Sequence, residues 1–354
     1  MKGENGVAKN RYIDFLKGVA IVCVIYGHCL QYGSGTAFLE QERYWDNVVM
    51  KAIYRFHMPL FIAMSGYLFC FSLRKHGARD CICRRVKSFL PICVTWAFVL
   101  LAHDIVTGSH FNIAHTITRL GRYVLTDFWF LWAVMICTFC VSIIEDPLRK
   151  KWGVRAMIVS YTILFISFFI TPDLLWLNAY KFMLPFFLGG FYYSRSGKRW
   201  FDNSKVGLIA TFLWIVLILF YSKSTYIYTT GITLIGKQSG AEQIAVDMYR
   251  YIIGISGIIS VVFWTKILYR KVCDSSRKLM ASMREVFEKL GRDSLIYYIL
   301  STYLFAWVMP SVTAKFQLNY ILVLVETTIV MFLCFMIKII LSKCGKVSRF
   351  IIGK

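Results

Sequence analysis

Apolar and polar positions do not alternate along this chain at either a helical or a strand period. Apolar residues run on for about 18 or more positions at a time, long enough to cross a bilayer core as single helices, and polar clusters separate the runs. The pattern predicts ten spans, at about 12–31, 48–72, 88–106, 128–145, 154–171, 177–194, 206–222, 249–268, 294–311 and 319–341. The expected fold is all-α: a polytopic transmembrane bundle forming one domain over residues 1–354. Pro59 interrupts the second span, because proline removes one backbone N–H and crowds the preceding turn. In the segment 269–293, KLMASMREVFEKL has helical periodicity with basic residues, and reads as an interfacial helix on the inner leaflet. The outer loops 32–47 and 107–127 are shorter than the outer segment 223–248, which is long enough to fold over a site.

Composition agrees with this reading. The 354 residues are 58% hydrophobic and 17% charged, whereas a soluble chain of this length would divide into amphipathic domains. The polar start MKGENGVAKNR shows no cleavable signal peptide. A net charge of +22 would suggest nucleic acid in a soluble protein, but here its distribution speaks for a bilayer. Lys and Arg crowd one set of loops: 2–11, 74–87, 149–155, 195–205, 266–292 and 343–354. The alternate loops hold only Arg43, Arg119, Arg122, Lys223, Lys237 and Lys315. This positive-inside asymmetry places both termini in the cytoplasm and requires an even number of spans. The eleven cysteines lie in apolar runs or basic loops, and read as free thiols. Cys81-x-Cys83 lacks a second ligand pair, so no metal site is expected.

The candidate chemistry begins in the first span, RYIDFLKGVAIVCVIYGHCLQ, which carries Asp14, Lys17 and His28. Ionisable groups at membrane depth are costly and often mark function. Lys17 and His28 fall within about 20° of one helix face and roughly 16 Å apart along it. Asp14 sits one turn before Lys17 and can pair with it. His28 is a candidate general base, the alternative being a buried histidine bonded to a backbone carbonyl. The second span adds Arg55 and His57 just before Pro59 and suggests a polar cavity; alternatively Arg55 snorkels and His57 caps the break. Ser65-Gly66 permits close helix packing. RRVKSFLP, with Arg84 and Arg85, can bind an anionic ligand or lipid headgroups. Lys181 and Arg250 lie at span ends and are expected to snorkel. Trp129, in Phe128–Trp132, fits an interfacial belt or a substrate-stacking surface.

Taken together, D-x-x-K-G at Asp14–Gly18, Gly27-His28 and FHMPLFIAMSGYLF resemble the integral-membrane acyltransferase 3 family, nearest its sugar and exopolysaccharide O-acetyltransferase branch. RRVKSFLP, FWFLWAVM, LPFFLGGFYY and LGRDSLIYYI follow in family order. Lys17 stands where many members carry Arg, and Ser301 where many carry a second histidine. The resemblance implies a multi-pass enzyme of the bacterial plasma membrane that uses acetyl-CoA as acyl donor and a sugar or polysaccharide as acceptor, with no metal and no nucleic acid.

It also implies roles. His28, Lys17 and Asp14 would be catalytic. Arg55, His57, Ser65 and Trp129 would bind the acceptor, with Arg55 and His57 orienting it or stabilising an oxyanion. Lys17, Arg84 and Arg85 would hold the donor phosphates. The competing class is a transporter or flippase for a glycan precursor, although no inverted repeat is visible; a third reading is a scaffold for polysaccharide-synthesis machinery.

Overall fold

The structure, a computed structural model, describes residues 11–32, 42–107, 113–170, 175–197, 203–226, 240–309, 319–343, 345 and 348–352. Among these residues there are helices and turns and no strand. The helices are α1 (Arg11–Tyr32), α2 (Glu42–Asp46), α3 (Val48–Val106), α4 (Ile113–Arg122), α5 (Trp129–Ile143), α6 (Arg149–Ile170) and α7 (Leu175–Ser196). They continue as α8 (Ser204–Leu219), α9 (Gly240–Asp274), α10 (Lys278–Arg292), α11 (Ser294–Tyr303), α12 (Tyr320–Ser342) and α13 (Ser348–Ile352). Five helical stretches among the described residues are long and apolar enough to cross a membrane: Arg11–Tyr32, Val48–Val106, Trp129–Ile170, Gly240–Asp274 and Tyr320–Ser342. The chain is an all-α membrane protein. Residues 227–239 of the outer segment 223–248 lie outside the described residues, as does His110.

Pro59 does not interrupt its helix. α3 runs through it, and the backbone leaves helical dihedrals at Gly77 instead, with φ at 75°. Proline forfeits one bond of a ladder that the neighbouring turns sustain, whereas a positive φ reverses the ladder and favours glycine. Gly153 does the same inside α6, with φ at 80°. The break at Gly77 is closed by Asp146, whose Oδ2 accepts the Ala78 backbone N–H at 2.9 Å. Lys150 reaches the other oxygen at 2.5 Å.

The chain divides into two compact units. The first comprises the described residues within 1–61, 199–221 and 253–339. In it α1 and α10 meet backbone to backbone. A Cβ on Gly18 would collide with the Phe287 carbonyl, and one on Gly291 with the Asp14 carbonyl. Phe15 rests on Tyr269 and Phe287, with ring centroids 5.2 and 5.4 Å apart. The helix predicted over KLMASMREVFEKL is α10; one face is committed to α1, and Leu279, Met283 and Val286 remain exposed. In the same unit Gly207 admits the Phe263 ring, and Thr211 bonds Ser260 at 2.9 Å, so that α8 and α9 are joined by a small residue and a polar pair.

The second unit comprises the described residues within 62–198, 222–252 and 340–354. Gly66 meets the Phe187 carbonyl and Gly190 meets the Ala63 carbonyl, so α3 and α7 exchange small residues as the Ser65-Gly66 step predicts. Lys181 and Arg250 do not snorkel: they are 0% and 1% exposed. Arg250 finds its partners inside, in Asp247 at 3.3 Å, the Thr225 carbonyl at 3.1 Å and the Tyr226 carbonyl. These acceptors replace the water that a snorkelling side chain would seek.

Two outcomes test this packing. Gly18→Val should destabilise the protein by about 1–3 kcal/mol through overpacking against α10, read as a lower thermal midpoint in detergent. The Lys150 ammonium and the Ala78 N–H hold the Asp146 carboxyl below its usual range. The resulting stabilisation is complete above the unfolded carboxyl value of about 4, and is lost as pH falls through the lower folded value. Asp146→Asn should therefore lower the thermal midpoint at neutral pH, and the difference from the parent should shrink in acid.

Candidate active site

The last turn of α1 and the second turn of α3 bring both predicted histidines to one tyrosine, within the first unit. Ile25, Cys29 and Leu30 fix the buried face of α1 and leave His28 partly exposed at its edge. Gly27 makes room for the partner helix: Ile53 and Tyr54 stand 3.2 Å from where a Cβ would be. The Tyr54 ring then lies 6.1 Å from the His28 ring and 5.1 Å from the His57 ring, nearly perpendicular to each. Phe305 covers another side of His28 at 5.4 Å.

The Gln31 amide oxygen beside His28 goes with one tautomer of the ring. The Tyr54 hydroxyl donates to Gln31 Oε1 at 2.5 Å, which spends its one hydrogen. His28 Nδ1 is 3.2 Å from that same Oε1 and 3.3 Å from the Tyr54 oxygen. Oε1 can only accept, so the bond to it needs the proton on Nδ1, which then donates. Nε2 keeps its lone pair and is the basic nitrogen. These partners are side chains, so His28 is not the carbonyl-bonded histidine of the alternative reading.

His57 is oriented differently. Its Nδ1–H donates to the Ile53 carbonyl at 2.7 Å, and the ring is 3% exposed. In its neutral form His57 thus offers Nε2 as an acceptor: it can take a bond from a hydroxyl but cannot donate one to an oxyanion. Arg55 does not snorkel. It is 4% exposed, and its guanidinium stands 3.9 Å over the Tyr221 ring, a cation–π contact.

Asp14 makes its ion pair with Arg292 of α10, at 3.9 Å, instead of closing on Lys17 one turn away. Lys17 is partly exposed on the same helix. Ser65, Trp129, Arg84 and Arg85 belong to the second unit. Ser65 adjoins the Gly66 contact, and Trp129 packs edge-on against Phe130 at 5.9 Å. Arg84 is exposed beside His76 at 3.3 Å, and Arg85 lies over the Phe89 ring at 5.0 Å.

A family profile described as "Acyltransferase domain" matches residues 10–342. The chain belongs to this acyltransferase family. It is also similar to two curated proteins, both named nodulation protein NolL. The one from Mesorhizobium japonicum is 28% identical over 243 residues, covering 65% of this chain and 61% of the relative. The one from Sinorhizobium fredii is 28% identical over 247 residues, covering 67% and 64%. The chain thus spans somewhat under two thirds of the length of these relatives. No solved structure matches it.

In this acyltransferase-family chain the sequence reading missed three residues around α1. Tyr54 looks like any membrane aromatic and is not visible as a histidine partner before α1 and α3 meet, whereas Gln31 follows His28 by three residues on one helix and was readable as its neighbour. Glu326 was detectable, as an acid inside an apolar run. It is 6% exposed, and neither carboxyl oxygen has a hydrogen-bond partner. It lies against Cys29, the residue that follows His28.

Proposed function

We propose that this protein is a multi-pass O-acyltransferase of the bacterial plasma membrane that moves an acetyl group from acetyl-CoA to a hydroxyl of a cell-surface or lipid-linked sugar. Ten spans in one acyltransferase domain, with cytoplasmic termini, go with this reading, and the basic loops support it. The observation that carries it is His28. Within a chain matched by the acyltransferase family over residues 10–342, its imidazole has one nitrogen held as a donor and the other left basic.

The chemistry needs one group that takes a proton and returns it. His28 Nε2 would remove the hydroxyl proton as the acceptor oxygen attacks the thioester carbonyl. As the C–S bond breaks, the coenzyme thiolate leaves and takes that proton from the imidazolium. The products are the sugar ester and free CoA. The Nδ1–H bonds to Gln31 and Tyr54 would hold the ring steady through both transfers. Arg55 is the proposed partner of the developing oxyanion. His57 Nε2 is the proposed acceptor for a second sugar hydroxyl. Ser65 and Trp129 are kept as acceptor contacts, and Lys17, Arg84 and Arg85 as contacts of the donor phosphates. Asp14 would act through Arg292, shaping the charged end of α1.

His28→Ala should slow acylation at least about 100-fold while the protein still reaches the membrane. Mass spectrometry of the surface glycan should then show the acyl mass gone and the polymer amount unchanged; an unaltered glycan sinks the proposal. Tyr54→Phe removes one of the two acceptors at Nδ1. It should lower kcat by up to about tenfold, the worth of one buried hydrogen bond, with KM for the donor unmoved.

A further inference from the structure

Glu145 of the second unit lies beneath two arginines. Its side chain is 1% exposed, and its Oε2 accepts from Arg149 at 3.2 Å and from Arg195 at 2.6 Å. Oε1 accepts from the Tyr192 hydroxyl, and from Tyr161 at 3.4 Å. The two guanidiniums arrive from α6 and α7 and remain 29% and 32% exposed. They border a cavity of about 330 Å³, with Tyr192 and Ser196 beside them and Val154 and Met157 on its apolar side. The positive φ at Gly153 starts the helix afresh at Val154, so a helix N-terminus also adjoins the cavity.

One carboxylate cannot neutralise two guanidiniums, so the cluster keeps a positive charge. A guanidinium has five N–H donors, and Glu145 fixes the orientation of both forks while leaving most of those donors unspent. A pre-oriented pair of arginines beside an apolar wall suits an anion with three or four oxygens and a less polar remainder.

We propose that this cavity is a phosphate-ester site, with phosphate oxygens on Arg149 and Arg195 and the rest of the molecule against Val154 and Met157. Two sources share that chemistry: the headgroup of an anionic phospholipid, and the phosphates of a coenzyme A thioester. The second source rests on the acyl-transfer reading; the first does not.

The test uses the full chain in phosphatidylcholine nanodiscs. Binding and the thermal midpoint are measured with phosphatidylglycerol added to the discs and, separately, with CoA in solution. Met157→Trp fills the cavity from its apolar side and leaves Glu145, Arg149 and Arg195 in place, at the cost of the 3.9 Å contact between Met157 Sδ and the Tyr192 hydroxyl. The triple change E145Q/R149Q/R195Q removes cations and anion together, so no buried charge is left unpaired. The parent should bind one of the two probes, and both variants should weaken that binding at least tenfold. Loss in the lipid arm identifies a headgroup site, and loss in the CoA arm a donor site. No binding by the parent, or parental affinity in both variants, overturns the proposal. His28→Ala leaves this cavity intact and should bind as the parent does, whatever happens to acyl transfer.

Discussion

A polar group at membrane depth has no water to turn to, so the protein itself must supply its partner. That constraint accounts for much of the architecture. Arg250 is enclosed by Asp247 and two backbone carbonyls, Asp293 meets Lys338, and Glu288 is flanked by Arg284 and Arg292. Glu145 takes two arginines and two tyrosines. Apart from the Glu288 set, which lies within α10, these clusters tie together segments that apolar packing alone would leave free to slide, since lipid tails are as apolar as the helices. The glycine contacts are the other half of the same solution. Gly18 with Gly291, and Gly66 with Gly190, bring backbones close enough for dispersion to hold the helices together.

Seen this way, His28 is a polar group that the fold satisfies only by half. Gln31 and Tyr54 occupy Nδ1, and the described residues show no bond at Nε2. His28 is partly exposed, so this nitrogen is not sealed in the interior. His57 is likewise half-used, with Nδ1–H on the Ile53 carbonyl. Two imidazoles thus flank one tyrosine, each with its second nitrogen uncommitted among the described residues.

The long apolar runs were legible because membrane-spanning length needs no partner to be read, and each predicted span overlaps a described helix. Pro59 was the loudest break signal and proved silent, while Gly77 and Gly153, two glycines among many, carry the positive dihedrals. What distinguishes them is the loop geometry around them, with Asp146 capping Ala78 from 68 residues away. Lys181 and Arg250 were misread for a related reason. Snorkelling and burial demand the same residue at the same span end, and only the fold reveals that Thr225 and Tyr226 turn their carbonyls to Arg250. The resemblance singled out His28 and His57, but it had no way to single out Tyr54, which meets His28 through a contact between two helices.

The contrast between Glu145 and Glu326 takes the partner rule one step further. Of the five buried carboxyls among the described residues, Glu145, Asp247, Glu288 and Asp293 each hold a cation, and Glu326 holds none. An uncompensated carboxyl in the interior costs stability, and an apolar residue of similar size at 326 would remove that cost. Its neighbours Val323, Thr327, Val330 and Cys334 complete the buried stripe of that helix. Glu326 therefore stands apart from the other four: a carboxyl held in the apolar interior without a cation, near Cys29, the residue that follows His28.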